Sequence, residues 1–175
     1  MTTLQETTDK LTDVFAETEK TANSFTEEQF FKRPGTGKWS AAEHVQHLFV
    51  SVKPLAGLFG KPELMLQFGK RNRAPMHYDE VIALYNQVLS SPAAAPVVSR
   101  NSVEGLSATK AEQLANLNSI HAKFIERAGT LSDTILDEYQ APHPLIGLLT
   151  ARVVIFYALS RGASYGDDGA VDGPG

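Results

Sequence analysis

A chain of 175 residues, 42% hydrophobic and 21% charged, is long enough to bury one core without covalent staples. It has no cysteine, which excludes a disulfide framework, a thiol nucleophile and thiolate metal ligands, and predicts a reducing compartment, the cytoplasm. A net charge of −4 with scattered Lys and Arg excludes the basic face that a nucleic-acid partner needs.

The first ten residues, MTTLQETTDK, carry acids and lack the apolar run of a signal peptide. Thr3 and Glu6 form a capping-box pattern, and Leu4, Leu11, Val14, Phe15, Ala22 and Phe25 follow a helical period, so a long helix is expected over Thr3 to Ser24. A second box, Thr26 with Gln29, opens a single turn, Glu27 to Lys32, closed by Pro34 and Gly35. Ser40 with Glu43 then starts a helix running to Phe59, with Trp39 as an aromatic anchor beside the cap. Its apolar face is Val45, Leu48, Phe49, Val52, Leu55 and Phe59. Pro54 removes one backbone donor and predicts a kink near Val50 and Ser51.

Gly60 stops this helix, and Lys61-Pro62 starts a shorter run over Glu63 to Phe68. The basic run Lys70-Arg71-Asn72-Arg73 reads as a solvated turn. Tyr78 to Leu89 carries Val81, Leu84, Tyr85 and Val88 at helical spacing, whereas Ser90 to Leu106 has no period and reads as a functional loop or a crossover. Thr109 and Glu112 open another long helix, Lys110 to Leu131. Ser132 to Pro144 is a connection, and Thr150 caps a last helix bearing Val153, Val154, Phe156, Tyr157 and Leu159. The apolar stretch Leu145 to Leu159 is broken by Gly147, Thr150 and Arg152 and is too short to span a bilayer, so no membrane partner is expected. No stretch shows strand alternation. The expectation is an all-α domain over residues 1–165, followed by a Gly/Asp-rich tail, 166–175, without the apolar residues to order itself.

Five histidines are the candidate chemistry. His44 and His47 are three apart on one helix, a spacing that puts two imidazoles on one face where they can share a metal or simply edge a buried stripe. His121, between Ile120 and Phe124, reads as a satisfied core histidine; His143 reads as a residue that caps or closes its loop, and His77 as exposed. No phosphate loop, nucleophile elbow or HExxH motif is present.

The Gly37-Lys38-Trp39-Ser40 turn, Glu43 three residues after the Ser and the His47-Leu48 pair eight residues after Trp39 resemble the DinB/YfiT-like superfamily. The later stretch LDEYQAPHPLIGLLT, Leu136 to Thr150, is similar to that family's segment before its last helix, so the resemblance covers Thr3 to Thr150. It implies a four-helix bundle with an extra short helix and one long crossover. It also implies a divalent ion, zinc or nickel by imidazole preference, held by three histidines: one from the helix that opens at Ser40 and an HxxxH pair from the last helix. The implied activity is metal-dependent hydrolysis, or transfer on a small thiol cofactor, with a small-molecule substrate; a homodimer is compatible with such a bundle.

By its distance from Trp39, His47 matches the first ligand, and His44 becomes its neighbour. The HxxxH pair falls on Arg161 and Tyr165, a guanidinium with no lone pair to give and a neutral phenol that ligates poorly. The acidic residue and Trp that follow the family's Thr are Val153 and Val154 here. The metal site is therefore expected to be incomplete, which leaves a non-catalytic binding or oligomerisation bundle as the rival reading.

Codons for RVVIFYALSRGASY, Arg152 to Tyr165, can be chosen so that reading one base later gives EWLFSMPYHAEHHM. Set with its Glu and Trp at Val153 and Val154, that peptide has His in place of Arg161 and Tyr165. The last helix thus reads as frame-shifted by a small insertion or deletion near codon 152.

Overall fold

Capping boxes decide where the helices begin. The computed structural model describes residues 3–36, 38–72, 74, 76–90, 105–143, 146–156 and 158. Helix α1 is Leu4–Ser24, α2 Glu27–Phe31, α3 Ala41–Phe59, α4 Tyr78–Leu89, α5 Lys110–Gly129 and α6 Asp133–Glu138, with a 3-10 turn at Pro62–Phe68 after α3. At α1, α2 and α3 the expected boxes close in both directions: Thr3 with Glu6, Thr26 with Gln29 and Ser40 with Glu43. Thr109 accepts from the Glu112 amide at the start of α5. Each cap satisfies amides that the first helical turn cannot, worth about 1 kcal/mol apiece. Pro54 lies within α3, whose helical run continues to Phe59.

Side-chain bonds fix how the helices lie. Gln113 Nε2 donates to the Ala42 carbonyl and Arg127 Nη1 donates to the Ala56 carbonyl at 2.6 Å, both across 71 residues, so α3 and α5 run parallel in constant register. Helix α1 runs antiparallel to α5: Lys110 Nζ donates to the carbonyls of Asn23 and Phe25, Asn118 to Glu19 at 2.6 Å, and Phe15 stacks on His121. Parallel neighbours need the chain to return along the bundle between them, which is the long crossover expected over 90–106; residues 91–104 of it lie outside the described residues.

The core forms two apolar clusters. The larger joins Leu11 and Phe15 of α1, Val52, Ala56 and Phe59 of α3, and Phe124 and Ala128 of α5 to Val154 and Ile155 of the last helical stretch. The smaller holds Ala22, Phe30, Val45, Leu48, Leu114 and Leu117 at the end where α3 and α5 begin. Of the face expected on α3, Val45, Leu48, Val52, Leu55 and Phe59 are buried and Phe49 is half-buried. A fully buried Leu or Phe contributes about 1.5–3 kcal/mol, so these clusters are the main source of stability.

One expectation is corrected. A small antiparallel hairpin, β1 Gln140–His143 with β2 Gly147–Thr150, stands where no strand was predicted. Four residues per strand are too few to display a period, and their burial follows the helices they lie against rather than alternation. The basic run is exposed at Lys70, Arg71 and Asn72, as a solvated turn should be, and it is tied to α6: the Arg71 amide donates to the Glu138 carbonyl at 2.7 Å, and Lys70 pairs with the Glu138 carboxylate at 2.6 Å. After β2 the chain turns helical over 151–156, with Thr150 Oγ1 accepting from the Val153 amide as the predicted cap. No helix among the described residues is long and apolar enough to cross a membrane.

Candidate functional site

The capping box of α3 is more than a helix start. Glu43 is almost fully buried; it accepts from the Ser40 amide at 2.8 Å and takes a two-pronged hydrogen bond from the Arg33 guanidinium. Burial pushes its carboxyl up, but the Arg33 and Ser40 hydrogen bonds outweigh this and hold it below the usual carboxylate range. Such a depressed carboxyl adds stability above the ordinary carboxylate pKa and loses it as pH falls through the folded value. Glu43→Ala removes the cap bond and leaves the Ser40 amide unmet, so we expect a loss of about 1–3 kcal/mol in urea unfolding at pH 7.

One turn on, His47 points into the bundle and is only 5% exposed. Trp39, half-buried ahead of the cap, lies with its ring centroid 5.2 Å from that of His47 and 5.2 Å from that of His44. The helical spacing thus does bring the two imidazoles to one place, against a shared indole rather than in the open. The register of α3 on α5 sets His47 level with Asn118, about one turn from His121.

His121 is buried and its ring stacks on Phe15, centroids 3.5 Å apart and 8° from parallel. Its Nε2 has no hydrogen-bond partner among the described residues. The expectation of a satisfied core histidine is therefore corrected: the ring is packed, but that nitrogen is not met. Burial drives its pKa down to about 3, so the imidazole is neutral at pH 7. His143 closes the hairpin, accepting at Nδ1 from the Ile146 amide at 3.2 Å, with Tyr85 of α4 edge-on to its ring. His77 is exposed at the start of α4, its amide donating to Glu80 at 2.6 Å. Of the five histidines, then, His44 and His47 share a site, His121 stands near it on the neighbouring helix, and the other two serve local structure.

Sequence reasoning passed over several buried polar residues. Arg152 reads in the sequence as a break in an apolar stretch. It is 6% exposed, and its guanidinium is clamped by the carboxylates of Asp133 and Asp137 from α6. The signal was there: Asp133 and Asp137 are four apart on one helix face, the spacing that presents two carboxylates to one cation. Gln113 is buried beneath the start of α3, where its Oε1 finds no partner among the described residues, and Gln140 Nε2 is likewise unmet among them. Both amides sit on otherwise apolar faces, where composition gives no warning.

The residues present do not fit a bound divalent ion. Among the described residues no three His, Asp or Glu side chains gather as a metal site requires. Arg161 and Tyr165, the positions expected to complete the set, lie outside the described residues, as does the tail 166–175; by chemistry a guanidinium has no lone pair to give and a neutral phenol ligates poorly.

The model of the family described as the DinB superfamily matches the chain over residues 10–160. Neither the curated proteins nor the solved structures yield a match.

Proposed function

Because this chain belongs to the DinB superfamily, we propose that its bundle is built for metal-dependent hydrolysis, or for transfer on a small thiol cofactor, of a small-molecule substrate, and that its metal site is incomplete. The observation that carries this is His47: a buried imidazole on the third helix, eight residues after the Trp of the Gly-Lys-Trp-Ser turn, where the family resemblance puts the first ligand. One neutral imidazole supplies neither the ligand number nor the geometry of a three-histidine site, which keeps an open position for water or substrate.

The closed packing of His47 against Trp39 favours a second reading for the chain as it stands, a non-catalytic bundle that binds or assembles rather than reacts. One comparison separates the two. The double variant Arg161→His/Tyr165→His restores two donors at the HxxxH spacing, and zinc titration should then tighten by ~100-fold or more, since losing even an outer-sphere partner of a metal ligand costs 10–100-fold. Equal, weak affinity in both proteins would favour the non-catalytic bundle.

A further inference from the structure

In α1, α3 and α5 buried residues recur at helical spacing and the opposite face meets solvent: on α5, Gln113, Leu117, His121, Phe124 and Ala128 are buried while Glu112, Asn116, Ser119, Lys123 and Glu126 are exposed. The helical stretch after β2 breaks this rule. Residues 151–156 and Ala158 are all buried, so six consecutive described residues of helix pass without one exposed side chain. The residue types agree: Val153, Val154, Ile155 and Phe156 are apolar at every angle around the axis. A helix apolar all round belongs at the centre of a large protein or in a membrane, whereas an outer helix of a bundle has a polar face.

The alternative peptide EWLFSMPYHAEHHM has the face that is missing. Set at positions 153–166, its Trp, its Met and two of its His fall at 154, 158, 161 and 165, spaced i, i+4, i+7 and i+11, within one narrow arc of the helix. Its first Glu, its Ser, its Tyr and the remaining His fall at 153, 157, 160 and 164, a second and polar arc with the same spacing. The first and third bases of each shifted codon are set almost entirely by the residues of this chain, so only middle bases were free to produce this pattern.

We infer that the segment from about Arg152 onward is translated one base out of the frame that belongs to this bundle, and that the neighbouring frame encodes an amphipathic final helix. The inference deepens the proposed function, because the histidines at 161 and 165 are those the incomplete site lacks, but it stands on helical periodicity and fails separately from it. Two experiments decide it. Reading the DNA across codons 148 to 175 should find third bases that spell EWLFSMPYHAEHHM in the next frame; third bases that spell other residues at the Glu and Trp positions and at 161 and 165 would overturn the inference, whatever the zinc titration shows. A chain carrying the next-frame residues from 153 to 165 should melt about 5 °C or more above the chain as written, because a polar face replaces apolar side chains that the bundle must bury at every angle, a gain that outweighs the backbone donor lost to its Pro at 159. A lower melting temperature for that chain would count against it.

Discussion

Acidification from pH 7 to pH 5 is expected to remove about 2 kcal/mol of stability through His121 alone. Its folded pKa is lowered to about 3 from an ordinary 6.5, because the ring is buried away from water. The fold therefore holds the neutral imidazole, while the unfolded chain takes up a proton near pH 6.5. For a depressed histidine the stability is fully present above pH 6.5 and declines as pH falls, by about 1.4 kcal/mol per unit, until the folded pKa is reached. The span from pH 7 to pH 5 lies ahead of the range where unfolded carboxylates titrate, so it isolates imidazole chemistry. Urea unfolding at the two pH values, compared with His121→Phe, measures it. The variant keeps a ring to stack on Phe15 and should lose most of the pH slope, whatever the change in its stability at pH 7. An unchanged slope in His121→Phe would show that another group carries the acid sensitivity.

Asp137→Asn is expected to destabilise the protein by about 3 kcal/mol, whereas Arg152→Met should cost less than about 1 kcal/mol or stabilise it. The contrast follows from where the charges sit. Arg152 is the buried member and Asp133 is largely exposed, so removing Asp137 leaves a buried cation held by a solvated carboxylate alone, but removing the cation leaves carboxylates that water reaches. The apolar Met fills the channel of the lost side chain among Val153, Leu149 and their neighbours without a charge to satisfy. Equal losses in the two variants, read from urea unfolding at pH 7, would mean that the guanidinium itself holds the hairpin to the bundle.

How much of this was legible beforehand depends on how local the determinant is. The starts of α1, α2, α3 and α5 were, because Ser or Thr followed three residues later by Glu or Gln is a complete local device. The core face of α3 was, since period alone selects Val45, Leu48, Val52, Leu55 and Phe59. The hairpin was not, because strands of four residues owe their pairing to α6 and the 3-10 turn against them rather than to their own composition. The ion pairs of Arg152 and the unmet nitrogen of His121 were not, because both depend on which helix lies opposite. At the site, the spacing of His44 and His47 was readable. Their common contact with Trp39 and the nearness of His121 needed the register of α3 on α5.

On the proposed function this polypeptide keeps one third of a metal site, with His47 intact and its partners replaced. Calorimetric titration of zinc into the metal-stripped protein at pH 7.5 tests this. No stoichiometric binding is expected, only a shallow heat that His47→Ala leaves nearly unchanged. Tight binding of one zinc per chain, abolished by His47→Ala, would contradict it.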